Sequence, residues 1–421
     1  MQYVFVLSSD HQPLDPCHPA RARQLLRQGK AAVIRRYPFT VILKDRTADQ
    51  STTTPHRVKL DPGSKTTGVA LVNEATRKVV WAAELQHRGQ VIKNALESRR
   101  ALRRGRRQRK TRYRQPRFLN RRRSEGWLAP SLMSRVYNVT TWVNRLYRLL
   151  PVAALSMELV KFDTQAMQNP EVSGVEYQQG ELAGYEVREY LLEKWERKCA
   201  YCGAKDTPLE IEHIIPRSRG GSNRVSNLTL ACHTCNQKKG NRTAAEFGHP
   251  SIQAKAKQPL KDAASVNATR WTLWRRLGET GLTVECGTGG RTKYNRVRAG
   301  LPKAHYLDAA CVGESGAFVV VPATLKPLGI KAMGHGRRQR CMTDKYGFPK
   351  SHSKRAKQFM GWQTGDIARA VVPKGKNAGV HVGRVVIRHS PSFHLGKLDG
   401  INPKYLTRLQ RVDGYEYATP S

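Results

Sequence analysis

The period of apolar and polar positions changes several times along the chain, and each change predicts an element. Tyr3–Leu7 is a short apolar run and reads as a strand. Pro19–Gln28, stopped by Gly29, reads as a helix, and Ala31–Arg36 and Thr40–Leu43 read as two further strands. The polar stretch Asp49–Thr54 reads as a linker. Beyond it, Arg57–Leu60, Gly68–Val72 and Val79–Leu85 are strand candidates. The turns between them, Asp61-Pro62-Gly63-Ser64 and Asn73-Glu74-Ala75-Thr76, predict an antiparallel meander. Leu132, Val136, Val139, Val143, Leu146 and Leu150 fall on one helical face, so a helix is expected over 131–150, with Ser131 as N-cap and Pro151 as its stop. Ala154–Val160 reads as a buried strand, and Glu181–Lys198 as an amphipathic helix running into a pair of cysteines. A helix around Asn267–Leu277, a strand at Leu282–Glu285 and a helix from about His305 follow. The remainder alternates short β-like runs (Phe318–Val321, Ile367–Val372, Val380–Arg388, Ser392–Leu395) with Gly and Pro, which suits a small β-barrel.

Charge narrows the function. Lys and Arg exceed Asp and Glu so far that 421 residues carry a net charge of +42. A free protein gains nothing from such self-repulsion unless a polyanion cancels it, which points to nucleic acid. The hydrophobic fraction of 39% still allows real cores, and the length suggests two to four domains. No stretch approaches the ~20 apolar residues of a membrane span, and Tyr3–Leu7 is too short for a signal peptide, so a cytoplasmic, reducing setting is expected. Basic residues concentrate over 95–123, at Arg99, Arg100, Arg103, Arg104, Arg106, Arg107, Arg109, Lys110, Arg112 and Arg114 among others. Positions 103, 106, 107, 110 and 114 keep helical spacing, with Pro116 ending or kinking the helix; an unordered polybasic arm is the alternative.

The densest chemistry lies between two cysteine pairs. Cys199-x-x-Cys202 and Cys232-x-x-Cys235 offer four thiolates in two tight turns, a closed tetrahedral set expected to hold a structural Zn²⁺. Between them runs Leu209-Glu210-Ile211-Glu212-His213-Ile214-Ile215-Pro216, then Asn227-Leu228, and Asn236 follows Cys235. Phosphodiester hydrolysis needs a base for water and a cation at the leaving oxygen. His213 suits the base, and Glu212 and Asn236 offer hard oxygens for one Mg²⁺. This pattern resembles the HNH endonuclease motif, a ββα-metal unit braced here by a zinc knuckle, in which Asn227 orients the histidine loop. A knuckle that merely binds nucleic acid is the plainer alternative.

Three more carboxylates stand far apart. Asp61 closes an apolar strand, Glu158 sits inside Leu155-Ser156-Met157-Glu158-Leu159-Val160, and Asp308 follows His305 by three residues on one helical face. Singly they read as a turn residue, a solvent-facing acid and a helix-surface acid. Together, an Asp on a meander's first strand, a Glu on a later strand and a helical Asp resemble a RuvC-like RNase H fold. That resemblance implies that Asp61, Glu158 and Asp308 hold two Mg²⁺, with His305 as a proton-transfer group.

The order of these parts resembles the IscB family, compact relatives of the type II CRISPR effector nucleases. Pro13-Leu14-Asp15-Pro16 is similar to that family's PLMP motif, with Asp15 where methionine is usual. Pro19-Ala20-Arg21-Ala22-Arg23, Gly29-Lys30-Ala31 and Pro38-Phe39 also fit its N-terminal domain. The implied architecture is a multi-domain α/β chain: a PLMP-like domain over 1–56, RuvC segments over 57–90, 126–180 and 251–320, an arginine-rich bridge helix over 91–125, an HNH domain over 181–250, and a small β-barrel-like C-terminal domain over 321–421. The last would bind RNA and read a DNA motif next to the target, with Arg337, Arg338, Arg340, Lys345 and Tyr346 as RNA contacts; an ordinary basic loop is the alternative there. The implied activity is RNA-guided DNA cleavage by a transposon-associated prokaryotic nuclease. HNH would cut the guide-paired strand and RuvC the displaced strand. Partners would be a guide-bearing structured non-coding RNA and double-stranded DNA, with association to the nucleoid when bound to DNA, and no membrane or obligate protein partner. No long helical insertion follows the arginine-rich segment, which separates the chain from the larger effectors. A guide-independent HNH/RuvC nuclease of a mobile element and a nuclease-dead nucleic-acid scaffold are the competing functions.

Overall fold

The computed structural model describes residues 2–107, 127–159, 183–205, 207–258, 263–334, 344–346, 348–350, 358–388 and 392–418. The chain divides into two compact units, Met1–Val58 with Lys65–Ala153 and Val320–Ser421, and Lys59–Ser64 with Ala154–Val319. Among the described residues, no helix is long and apolar enough to cross a membrane.

The first unit opens with a four-stranded sheet in the order Pro13–Cys17, Val4–Leu7, Thr40–Leu43, Ala31–Arg35, with helix Pro19–Arg27 burying Ala22. Pro13–Cys17 was not among the sequence expectations. Its two prolines lack ladder donors, and it lies at the sheet edge where prolines are tolerated. Thr66–Asn73 and Val79–Gln86 pair antiparallel, with Leu71 opposite Trp81, as the meander predicted. Leu328–Ala332 joins Val79–Gln86 in parallel, and Tyr415–Ala418 joins Leu328–Ala332 antiparallel. The expected strand at Phe318–Val321 is reduced to a single bridge, Lys78 to Val320.

Helix Pro130–Tyr147 buries Val136, Val139, Val143 and Leu146 of the predicted face, leaves Leu132 half-buried, and also buries Trp142. Ser131 is not its cap. Ala129 holds that position and Pro130 starts the helix, its fixed φ suiting the first turn. Trp142 stacks on Trp81 at 6.4 Å and meets Tyr415 edge-on at 5.6 Å. A second helix, Gly89–Arg107, carries the first arginines of the basic segment. Its first residue must be glycine, because a Cβ on Gly89 would stand 2.9 Å from the Ser131 carbonyl oxygen. The C-terminal strands form an antiparallel sheet in the order Leu398–Ile401, Phe393–Leu395, Gly379–Val386, Ile367–Val372, Leu406–Gln410, packed around Phe393, Val385, Ala368 and Ala370. Among the described residues this order has two ends, so the sheet is open where a closed barrel was expected.

The second unit combines two substructures. In one, the C-terminal half of strand His56–Pro62, strand Val152–Glu158 and strand Thr283–Gly287 lie side by side, the last two parallel with Ser156 opposite Glu285 and Glu158 opposite Gly287. Helices Ala263–Gly278, Gly289–Arg298 and His305–Ala310 accompany them. In the other, Leu209–His213 pairs antiparallel with Leu228–Cys232, and helix His233–Lys239 follows, a ββα unit. Tyr190, Leu191, Leu192, Trp195, Leu230 and Ile252 fill its core.

Candidate active site and metal centre

The four cysteines of the second unit converge. One ligand atom from each of Cys199, Cys202, Cys232 and Cys235 lies within 4.8 Å of the others, and the sulfurs of Cys202 and Cys232 are 3.8 Å apart. A tetrahedral ion with metal–sulfur bonds of about 2.3 Å separates its ligands by about 3.8 Å, so the donors fit a zinc-sized ion. Cys199 precedes a turn closed by Gly203, and Cys232 ends its strand to cap the following helix, so each pair comes from a tight backbone turn.

Beside this knuckle, His213 ends its strand with Nε2 at 3.0 Å from Asn223 Oδ1. If Nε2 carries the proton donated to Asn223, Nδ1 keeps a lone pair for a water proton. Asn227 is buried and acts entirely on the loop after His213. Its amide oxygen accepts from Ile215 N at 3.0 Å, and its amide nitrogen donates to the carbonyls of Ile215 and Ser222. Gly221 completes the loop, since a Cβ there would stand 1.7 Å from the Ile215 carbonyl oxygen. Asn236 donates to Glu210 Oε2 at 2.6 Å, and His233 lies 2.9 Å from the other Glu210 oxygen. Glu212 instead accepts from Lys239 at 2.6 Å. The expected neighbours Glu212 and Asn236 thus meet different partners. Sequence reading assigned nothing to Asn223, Lys239 or His233, and quoted Glu210 without a role.

The three distant acids also come together. Asp61, Glu158, His305 and Asp308 line one cavity of about 110 Å³, with Arg197, Arg270, Lys293, Arg296 and Lys303 around them. His305 Nδ1 is 3.4 Å from Asp61 Oδ2. Arg270 Nη2 is 3.2 Å from Glu158 Oε1, and Arg296 Nε is 2.8 Å from Asp308 Oδ1. Burial, joined by the charge of Asp61, pushes the Asp308 carboxyl up to about 6, against the pull of Arg296, Lys303 and Arg197. Lys59, two residues before Asp61, is fully buried and donates to the Val312 carbonyl and Ser315 Oγ at 2.6 Å. Burial raises the Glu285 carboxyl, but hydrogen bonds from Ser156 and Ser315 and the charge of Lys59 outweigh it and leave it below its usual value. Asp61 and Glu158 come from strands and Asp308 from a helix, and among the described residues the group whose ligand atoms are spaced to hold a metal ion is the four-cysteine set.

Residues 199–251 match the family model described as HNH endonuclease. The chain carries an HNH endonuclease domain. Residues 4–180 match the model described as RRXRR protein, and Arg103-Arg104-Gly105-Arg106-Arg107 is a literal instance of that string. Over 47 residues the chain is 49% identical to the CRISPR-associated endonuclease Cas9 of Corynebacterium diphtheriae, a match covering 10% of this chain and 4% of that protein. Among solved structures it is similar to Streptococcus thermophilus Cas9 (12% identity, 61% of this chain and 32% of the other, TM-score 0.24). It is also similar to the type II-C Cas9 of Actinomyces naeslundii (18%, 43% and 27%, TM-score 0.16). The chain thus spans a minor part of each of these proteins.

The nucleic-acid contacts expected from sequence are placed only in part. Arg99, Arg100, Arg103, Arg104, Arg106 and Arg107 lie on helix Gly89–Arg107, all but the half-buried Arg107 exposed. Arg109, Lys110, Arg112, Arg114, Arg337, Arg338 and Arg340 lie outside the described residues. Lys345 sits over the ring of exposed Tyr346 at 5.0 Å.

Proposed function

We propose that the chain is an RNA-guided DNA endonuclease of the IscB type, with two metal-dependent sites and a structural Zn²⁺ on Cys199, Cys202, Cys232 and Cys235. The observation that carries this reading is the meeting of Asp61, Glu158 and Asp308, drawn from three distant segments, in one cavity of a chain that also has an HNH domain. In this reading 57–90, 126–180 and 251–320 are segments of a RuvC-like RNase H fold interrupted by the arginine-rich bridge and the HNH insertion. The PLMP-like domain is 1–56, and 321–421 binds RNA and the target-adjacent DNA.

Mg²⁺, two at the acids and one at the HNH unit, would supply Lewis acidity at the phosphate and lower the pKa of attacking water. The chain's residues do the rest. Asp61, Glu158 and Asp308 hold the cations for the cut of the displaced strand, and His305, beside Asp61, transfers a proton. At the HNH unit His213 takes the water proton through Nδ1 for the cut of the guide-paired strand. Glu212 and Asn236 provide oxygen ligands, and Asn227 holds the histidine loop. Arginines 99–107 contact the phosphates of the guide–target duplex. A net charge of +42 is the footprint expected of a chain that holds a long RNA as well as DNA.

The test is to express the protein with its native flanking DNA, purify it at high salt and sequence the RNA that stays bound. One long RNA with a fixed structured part and a variable end is the expected result, and DNA cutting should require it. Mixed cellular RNA, removable without loss of cutting, would replace this reading with a guide-independent nuclease.

A further inference from the structure

The acids of the second-unit cavity are not bare anions. Arg270 reaches Glu158 at 3.2 Å and is fixed at a second point by a hydrogen bond to the Pro62 carbonyl at 3.1 Å. Arg296 reaches Asp308 at 2.8 Å and donates to the Leu301 carbonyl at 2.9 Å. Both guanidiniums belong to the buried wall, with side chains only 8% and 3% exposed. Two of the three carboxylates are thus each held by a buried guanidinium. A fixed positive charge beside a carboxylate opposes the approach of a divalent cation to the same oxygens. Arginine, moreover, cannot shed its charge by deprotonation; it weakens its hold only by moving.

Arg197, Lys293 and Lys303 line the same cavity and bring its cationic side chains to five, against three acids. Such a lining suits a phosphodiester at least as well as a metal, and the two ligands carry opposite charge. Each therefore raises the affinity of the site for the other, by the same factor in both directions.

We propose that Arg270 and Arg296 are resident counterions that hold the divalent-cation affinity of the Asp61–Glu158–Asp308 site low until a nucleic-acid phosphate enters the cavity. This inference rests on the reading of those three acids as metal ligands. Cation binding at the site and engagement of the DNA strand are then one coupled event, and the DNA-free protein keeps a poorly loaded site at cation concentrations that suffice in its presence. Removing one guanidinium while leaving the acids intact uncouples the two.

Mn²⁺ titration of the full chain, with free Mn²⁺ counted by electron paramagnetic resonance, measures this directly and needs no cleavage. Binding lost on Glu158→Gln, titrated in parallel, identifies the site and cancels Mn²⁺ held by bound RNA or by the HNH unit. Arg270→Met is expected to tighten that binding about tenfold without DNA, because one buried opposing charge is gone. Arg270→Lys should stay near wild type. A short DNA oligonucleotide should raise Mn²⁺ affinity in the wild type and distinctly less in Arg270→Met. If Arg270→Met melts early because Glu158 is left without its partner, millimolar Mn²⁺ should restore its melting temperature by more than it shifts the wild type. Unchanged or weaker Mn²⁺ binding in Arg270→Met, with no such restoration, would make Arg270 a purely structural ion pair while the metal reading survived. If neither Asp61→Asn nor Glu158→Gln removed any Mn²⁺ binding, the metal reading of the acids would itself be overturned.

Discussion

Glu212 accepts a 2.6 Å hydrogen bond from Lys239, a lysine whose side chain has no exposed surface. The same ammonium donates to the His213 carbonyl at 2.9 Å, so one buried lysine fixes both the carboxylate and the backbone of the residue after it. Asn236 is tied to Glu210, not to Glu212. Alternation along Leu209–His213 puts Glu210 and Glu212 on the same side of the strand, so both carboxylates belong to the face that meets the helix carrying Asn236 and Lys239.

The two acids should separate by mutation. In the proposed site Glu212 is a ligand and Glu210 orients one, and partners that orient a ligand typically cost about 10–100-fold when removed. Glu212→Gln should therefore abolish the cut of the guide-paired strand, while Glu210→Gln slows it about tenfold and raises the Mg²⁺ concentration required. Nicking of a duplex labelled differently on its two strands reads both effects. The reverse ranking would make Glu210 the ligand.

The two sites should also fail independently. His213→Ala is expected to stop cutting of the guide-paired strand only, and Asp61→Ala or Asp308→Ala that of the displaced strand only. The HNH unit has its own core around Leu230 and Ile252, which gives no reason for one lesion to reach the other site. Loss of both cuts in either variant would contradict two separate centres.

How much of this was legible in sequence follows from what each residue is made of. Asp61 and Glu158 stood out because each interrupts an apolar run, and the cysteine pairs because four thiols at that spacing have few other uses. Helix Gly289–Arg298 left no such trace. It starts at two glycines, and its buried side is Thr292, Asn295 and Arg296, so no hydrophobic period marks it. Asn295 earns that burial with hydrogen bonds to the Cys311 and Gly313 carbonyls. Arg270 and Arg296 were equally hidden, because in so basic a chain an arginine that pairs with a buried acid looks like any other. Only tertiary placement distinguishes them.

The first unit should be acid-sensitive through His87. Its Nε2 is 2.7 Å from Thr67 Oγ1, and its Nδ1 is buried and unpartnered even though the residue keeps some surface. Burial, with a smaller push from Arg135, holds the imidazole down at about 3, against an ordinary 6.5. A histidine with a depressed folded value stabilises above its unfolded value, and that contribution disappears as pH falls from about 6.5 toward 3. His87→Gln should thus lose less stability than the wild type over that window, by up to about 4 kcal/mol. Parallel acid dependence of the two melting curves would show that the ring is solvated.

Cys232 tests the knuckle apart from the chemistry. Its residue is buried at the end of a core strand, opposite Leu209, and its sulfur lies against that of Cys202. Cys232→Ser keeps the backbone turn and nearly the same volume, so the main loss is one thiolate ligand. If the four sulfurs hold a structural ion, the variant should retain less than one zinc per chain by elemental analysis, and its HNH unit should melt earlier and lose hydrogen-exchange protection over 199–251. The displaced-strand cut in the protein that remains folded should persist, because the acids of that site lie on other strands. Unchanged melting with full zinc content would mean that the fourth sulfur is dispensable. Unchanged melting with no zinc in either protein would mean that the ββα unit stands on its hydrophobic core alone.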